Sequence, residues 1–158
     1  MSRLEVGQIA PPFTIETTRG SVLLEELVRE AKRGVIVYFY PKAETPGCTK
    51  EACDFRDNLN SFKSAGYQVL GISRDLPEKL LRATEKDSLN FPLLSDPDHA
   101  VHDAYGTYGE KNSYGRIVLG VLRSTFVIDE NGIITLPLYS VKAKGHVAMM
   151  RKKLRIVA

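Results

Sequence analysis

Residues 35–53 read VIVYFYPKAETPGCTKEAC and carry the strongest structural signal in the chain. Residues 35–40 form an unbroken run of apolar, β-branched and aromatic side chains. Such a run is typical of a strand that is covered on both faces, as in the centre of an α/β sheet. Pro41 ends this strand, and residues 46–65 are predicted to form a helix closed by Gly66. Ligands of open α/β sheets collect beyond the carboxyl ends of the strands, so this strand-to-helix junction is a candidate functional site.

Predicted strands and helices alternate on both sides of this segment. The further strands cover residues 13–17, 67–73, 91–95, 124–128 and 133–138, and the further helices cover residues 22–31, 77–88, 98–105 and 145–157. Residues 19–21 and 129–132 are predicted as turns, the second of them closing a hairpin. No internal repeat or linker interrupts the sequence. The pattern predicts one α/β domain over residues 1–158, with a mixed central sheet flanked by helices.

Composition sets limits on the class of protein. The chain has 158 residues, of which 43% are hydrophobic and 26% charged, as in an ordinary globular protein. The net charge of +3 is too small to indicate a dedicated polyanion binder. No acidic residue follows Glu130, whereas six lysines and arginines do. A solvated basic end to the last helix explains this better than docking of an acidic partner or of nucleic acid.

The compartment is inferred from the termini and the cysteines. No apolar run approaches the roughly 20 residues of a membrane helix, and residues 1–5 lack the apolar stretch of a secretory signal. We therefore expect a cytoplasmic protein. In a reducing compartment, two cysteines five residues apart are not expected to serve as a structural crosslink.

Cys48 is the candidate nucleophile. Thr45 is a suitable N-cap and Pro46 suits the first helical position, which places Cys48 in the first turn of the helix. Unpaired backbone N–H groups and the helix dipole stabilise an anion there, and the thiolate is the reactive form of cysteine. Lys42 and Lys50 are close in sequence and are expected to add to this effect. The alternative is that Cys48 only packs, because it shares a helical stripe with Ala52, Phe55, Leu59 and Phe62.

Cys53 cannot bond to Cys48 within an intact helix. Five helical residues turn the chain by about 500° and separate the two Cα atoms by about 8.7 Å. A disulfide requires less than about 7 Å and converging Cβ atoms. Either Cys53 is a bystander, or the helix opens when the bond forms.

The segment also resembles the active-site loop of peroxiredoxins, whose pattern is Pro-x-x-x-Thr-x-x-Cys-Thr. The four positions are matched by Pro41, Thr45, Cys48 and Thr49. A second cysteine five residues after the first resembles the Q-type subgroup, also called bacterioferritin comigratory proteins. Residues 120–129 and 141–146 are similar to further signatures of that subgroup, and the likeness begins at residues 6–11.

The resemblance implies a thioredoxin-like fold and a peroxidase. Cys48 would attack hydrogen peroxide or an alkyl hydroperoxide and become a sulfenic acid, which Cys53 would resolve as an intramolecular disulfide. Arg123 would stabilise the thiolate and the charge developing on the peroxide oxygens, Thr45 would donate or accept a hydrogen bond, and Pro41 would shield the sulfur from water. Thioredoxin or a similar dithiol would be the reductant. We expect a monomer that needs no cofactor or metal and binds neither nucleic acid nor membrane.

Three other functions compete with this one. His99, His102 and His146 raise the question of a metal site, but the cysteines diverge and no familiar zinc spacing occurs. A thiol–disulfide oxidoreductase would carry Cys-x-x-Cys, whereas four residues intervene here. A redox sensor would use the same sulfenic acid chemistry without turnover, and sequence alone does not separate it from an enzyme.

Overall fold

The computed structural model describes residues 3–17 and 20–156. Within these ranges the strands are β1 (Thr14–Thr17), β2 (Gly20–Leu23), β3 (Gly34–Phe39), β4 (Tyr67–Ser73), β5 (Leu93–Ser95), β6 (Tyr108–Ser113), β7 (Arg116–Val121), β8 (Ser124–Asp129) and β9 (Ile134–Leu138). The helices are α1 (Leu24–Glu30), α2 (Pro46–Ser64), α3 (Pro77–Lys86), α4 (Ala100–Tyr105) and α5 (His146–Lys153). No helix in these ranges is long and apolar enough to cross a membrane.

The centre of the protein is a five-stranded mixed sheet in the order β5-β4-β3-β8-β9. Strand β3 runs parallel to β4 and antiparallel to β8, so it lies between two hydrogen-bonded neighbours. The β4–β5 pair is parallel and the β8–β9 pair is antiparallel. Strands β1 and β2 pair separately, as do β6 and β7. The expected mixed sheet flanked by helices is confirmed.

Both faces of β3 are buried, as its apolar run predicts. On one face, Val35, Val37 and Phe39 pack in a cluster with residues of α1, α4 and β8. On the other face, Ile36 and Tyr38 pack in a cluster with residues of α2, α3 and α5. The helices therefore form a layer on each side of the sheet. Helix α2, which begins just beyond the end of β3, belongs to the second layer.

Gly71 in β4 lies against the ring of Tyr38 on the neighbouring strand. A Cβ atom built on Gly71 would lie 2.8 Å from Cζ of Tyr38 and 3.0 Å from a methyl carbon of Leu93. No side chain fits there without displacing the ring. This contact seats Tyr38 against α2, where it stacks on Phe55 with 4.7 Å between the ring centroids.

The N-terminal hairpin corrects one prediction. Val22 and Leu23 belong to strand β2 rather than to the start of a helix, and α1 begins at Leu24. Val22 pairs with Ile15 of β1, which explains the difference. Over a segment as short as one helical turn, the same apolar pattern fits a helix or a strand. Of the predicted turn at 19–21, Gly20 and the next residue lie in β2, and Arg19 lies outside the described residues.

The hairpin of β6 and β7 was not predicted. Its turn contains Tyr114 and Gly115 with φ values of 52° and 82°, as a type I′ turn requires. It leads through Leu122 into the start of β8. The closing helix is also shorter than expected, since α5 ends at Lys153 and the predicted end at Val157 lies outside the described residues.

Candidate active site

Cys48 lies in the first turn of α2, as predicted. Pro46 is the first helical residue, and Thr45 has the extended backbone of an N-cap, with φ of −99° and ψ of 152°. No side chain caps this end of the helix and its first turn carries no acidic residue. The free N–H groups therefore favour an anion beside Cys48, which is only 4% exposed.

Arg123 binds the sulfur directly. It lies in the two-residue link between β7 and β8, and its Nη2 donates a hydrogen bond to Sγ of Cys48 at 3.3 Å. Its Nη1 donates to Oε1 of Glu51 at 2.6 Å, so one guanidinium spans the thiol and a carboxylate. Burial by itself lowers the pKa of Arg123, but the attraction of Glu51 and Cys48 outweighs burial and raises this pKa above the usual value. Arg123 is thus a fixed cation at the sulfur.

Glu51 and His146 complete the cluster. Glu51 lies one turn after Cys48 on α2 and is fully buried. Its second oxygen, Oε2, lies 2.7 Å from Nδ1 of His146, the first residue of α5. The imidazole of His146 is itself buried and meets the ring of Phe55 edge-on, with 5.7 Å between the centroids. The chain Cys48–Arg123–Glu51–His146 therefore joins three distant parts of the sequence.

Cys53 stands apart from this cluster. Both cysteines are free and both lie within the continuous helix α2, so the geometric separation expected from the sequence is present. Burial raises the pKa of Cys53, and nearby aspartates add to this while Arg56 opposes it. Cys53 therefore holds its proton more tightly than an ordinary cysteine, which suits a second thiol better than the first nucleophile.

Thr45, Pro41 and Lys50 are further residues that the sequence assigns to the site. The hydroxyl of Thr45 donates to the carbonyl of Lys42 at 2.8 Å, so its proton points at the backbone rather than at Cys48. Pro41 follows β3 after one residue, Tyr40. The ammonium of Lys50 pairs with Asp54 at 3.3 Å on an exposed part of α2.

The three histidines of the metal hypothesis contact different carboxylates. His99 pairs with Asp103 at 2.8 Å, His102 pairs with Asp96 at 2.6 Å, and His146 pairs with Glu51. Within residues 3–17 and 20–156, no group of three His, Cys, Asp or Glu side chains is placed to hold a metal ion. Each histidine therefore has a carboxylate partner of its own.

Sequence reasoning missed Glu51 as a member of the site. The signal was present, because Glu51 is three residues after the nucleophile and interrupts an otherwise apolar helix face. His146 was noted in the last signature and as a metal candidate, but nothing local in the sequence pairs it with Glu51.

A comparison with protein families shows which family the chain belongs to. Residues 6–136 match the AhpC/TSA family. The chain belongs to this family. A putative peroxiredoxin of Mycobacterium tuberculosis is 54% identical over 155 residues, with 98% of each chain covered. Peroxiredoxin Bcp of Escherichia coli is 46% identical over 146 residues, with 92% of each chain covered. The predicted resemblance to the bacterioferritin comigratory proteins is confirmed.

Solved structures agree with this membership. The bacterioferritin comigratory protein of Xanthomonas campestris, whose structures concern its alkyl peroxide reduction, superposes with a TM-score of 0.81. It is 35% identical, with 96% of each chain covered. Peroxiredoxin Q of Xylella fastidiosa gives a TM-score of 0.86 at 29% identity over 98% of each chain. The thioredoxin-like fold expected of this peroxiredoxin is thereby confirmed.

Proposed function

We propose that this peroxiredoxin reduces hydrogen peroxide and alkyl hydroperoxides with Cys48 as the peroxidatic nucleophile. The observation that carries the proposal is the 3.3 Å hydrogen bond from Arg123 to Sγ of Cys48 at the uncapped start of α2. A permanent cation and free N–H groups both favour the thiolate there. Membership of a peroxidase family supports the same reaction.

The first step transfers one oxygen atom to sulfur. The Cys48 thiolate attacks the nearer peroxide oxygen, the O–O bond breaks, and the farther oxygen leaves as hydroxide or alkoxide and takes up a proton. Sulfur is oxidised to the sulfenic acid and the peroxide is reduced to water or an alcohol. Negative charge grows on the oxygens during this step, and the fixed guanidinium of Arg123 stabilises it without reorganising.

Thr45 and Pro41 act on the substrate side. The Thr45 hydroxyl donates its hydrogen bond to the Lys42 carbonyl, which leaves the lone pairs of Oγ1 free to accept a hydrogen bond from the peroxide. Pro41 has no N–H group to solvate the thiolate. Together they orient the peroxide and keep competing water donors from the sulfur.

The second step forms the disulfide. The sulfur of Cys53 attacks the sulfenic sulfur of Cys48, the S–O bond breaks and water leaves. Thioredoxin or a similar dithiol then reduces the disulfide by thiol exchange. The start of α2 must open first, because the two Cα atoms of an intact helix are about 8.7 Å apart.

The test is peroxide consumption coupled to thioredoxin and its reductase, with wild type, Cys48→Ser and Cys53→Ser measured side by side. Cys48→Ser should have no activity above background, because a serine hydroxyl at its ordinary pKa is a poor nucleophile. Cys53→Ser is the matched control: it should still consume one peroxide and hold a sulfenic acid on Cys48. Comparable turnover by Cys48→Ser would refute the proposed function. Full thioredoxin-linked turnover by Cys53→Ser, with no trapped sulfenate, would refute the role of Cys53.

The proposal also covers the oligomeric state and the cellular compartment. Cys48, Arg123, Glu51 and His146 come from one chain, which supports a monomer as the active species. A cycle in which a dithiol reduces the Cys48–Cys53 disulfide fits a reducing compartment such as the cytoplasm. The mechanism requires neither a nucleic acid nor a membrane partner.

A further inference from the structure

We propose that His146 is a positioning residue for the peroxidase reaction, acting on Cys48 through Glu51 and Arg123. The inference rests on the proposed function, because it concerns how the same thiolate is made reactive. Three consecutive contacts carry it: 2.7 Å from His146 to Glu51, 2.6 Å from Glu51 to Arg123, and 3.3 Å from Arg123 to the sulfur. His146 itself does not touch the reacting atoms.

Each oxygen of the Glu51 carboxylate has one hydrogen-bond partner. Its side chain is fully buried, and a buried carboxylate is costly unless it is paired and its oxygens are hydrogen-bonded. Arg123 supplies a donor to Oε1 and His146 supplies one to Oε2. Removal of the second donor leaves one buried oxygen unsatisfied, and the carboxylate is then free to rotate toward other partners.

The hydrogen-bond pattern fixes the tautomer of His146. An ionised carboxylate only accepts hydrogen bonds, so Nδ1 of His146 must carry a proton. The other ring nitrogen, Nε2, is buried and has no hydrogen-bond partner among the described residues. The only polar contact of this ring in the described part of the chain is therefore the one to Glu51. The edge-on contact with Phe55 holds the ring in that orientation.

The orientation of Glu51 determines what Arg123 can do. A guanidinium is a planar fork, so a hydrogen bond to one of its nitrogens sets the direction of the others. With Nη1 held by Glu51, Nη2 points at the sulfur. Rotation of the carboxylate would draw Nη1 with it and move Nη2 away from Cys48. A displacement of about 1 Å at a reacting centre can cost roughly a hundredfold in rate.

The same molecule contains a matched control in His102. This histidine is also fully buried, its Nδ1 lies 2.6 Å from Oδ2 of Asp96, and its Nε2 has no partner among the described residues. It meets an aromatic ring edge-on, that of Phe39, with 4.9 Å between the centroids. The described contacts of His102 and Asp96 do not include Cys48 or Arg123. The backbone N–H of His102 also donates to Oδ2 of Asp96 at 2.9 Å, so the His102 variants control for the loss of a buried ring and its carboxylate contact rather than for a fully unpaired oxygen.

The experiment compares four proteins with wild type: His146→Leu, His146→Asn, His102→Leu and His102→Asn. Asparagine can place an N–H donor near the former Nδ1 position, whereas leucine cannot. Two readouts are measured on each folded variant. One is the rate of Cys48 alkylation by iodoacetamide across pH in a Cys53→Ser background, and the other is the second-order rate of peroxide reduction under single turnover. Melting temperature reports the structural cost.

His146→Leu should lower the peroxide rate about tenfold or more and shift the alkylation profile to higher pH, and His146→Asn should recover most of both. Both His102 variants should keep wild-type peroxide and alkylation rates, even where their melting temperatures fall by as much as those of the His146 variants. Unchanged alkylation and peroxide rates in folded His146→Leu would overturn the inference, as would equal losses at His102. If His146→Leu does not fold, His146→Asn decides: rates within a few-fold of wild type support the donor role, and a larger loss refutes it. A wild-type protein that consumes no peroxide refutes the proposed function instead, while the alkylation arm still tests the positioning.

Discussion

Replacement of Arg123 by methionine removes the cation shared by Cys48 and Glu51 while keeping most of the apolar stem. Two unit charges 3.3 Å apart interact by about 5 kcal/mol at an effective dielectric constant of about 20. Arg123 is 16% exposed and also pairs with Glu51, so solvent and the carboxylate weaken this attraction. We expect about 2 to 3 kcal/mol to remain, so Arg123→Met should react with peroxide roughly 30- to 150-fold more slowly than wild type.

The stability of the fold should respond through Glu51 rather than through Cys48. Arg123→Met leaves a fully buried carboxylate without its cation, which costs about 3 to 5 kcal/mol. The double variant Arg123→Met/Glu51→Gln removes that uncompensated charge. It should therefore regain much of the lost stability without regaining reactivity. Arg123→Lys should restore only part of the reactivity, because an ammonium cannot bridge the sulfur and the carboxylate as the planar fork does.

Two measurements separate these effects. Urea unfolding gives the free energy of unfolding, and stopped-flow peroxide reduction with alkylation across pH gives the reactivity of Cys48. Wild-type alkylation and peroxide rates in folded Arg123→Met would show that the guanidinium does not act on the sulfur. Failure of Glu51→Gln to restore stability in the double variant would show that the buried carboxylate is not what the arginine compensates.

Three further outcomes follow from the fold. The disulfide form should exchange amide hydrogens faster over residues 45–55, since an intact helix keeps the two Cα atoms about 8.7 Å apart; equal protection in both redox states would contradict this. Burial raises the pKa of Asp96, but hydrogen bonds from His102 outweigh it and lower the pKa below its usual value. The ionised Asp96 therefore stabilises the fold above the unfolded pKa of about 3.9, and this stabilisation is lost as pH falls through the lower folded pKa. Asp96→Asn should flatten the fall of Tm below about pH 4. Parallel plots of Tm against pH for wild type and Asp96→Asn would contradict this. Gly71→Ala should cost about 1 to 3 kcal/mol by overpacking against the Tyr38 ring, and an unchanged free energy of unfolding would mean that the ring moves aside freely.

Local signals in the sequence were sufficient for the central strand and for the helix that carries the nucleophile. The predicted helix at 46–65 and the strand at 67–73 agree with α2 and β4 to within one residue. The central strand and the helix depend on patterns that a few neighbouring residues contain in full. These are a β-branched run for the strand, and an N-cap with proline and a closing glycine for the helix. The position of Cys48 in the first turn follows from the same window. These parts of the fold and the site were therefore predictable.

The hairpin of β6 and β7 was not predictable in this way. Ile117, Val118 and Leu119 in β7 are all exposed, so the strand lacks the alternation of buried and exposed side chains that identifies a half-buried strand. Its turn depends on Tyr114 adopting a positive φ, which is uncommon for a bulky residue. The partnership of Glu51 with His146 was hidden for a different reason: it exists only after α5 packs on α2.

The parts of the active site are translated at widely separated times. In the sequence, Arg123 follows Cys48 by 75 positions, and His146 follows Glu51 by 95 positions. While a ribosome is still making β4 to β7, the future nucleophile has neither its guanidinium nor the carboxylate–imidazole pair that orients it. An unfinished or misfolded chain therefore carries an ordinary thiol, and only completion of the fold makes the sulfur reactive.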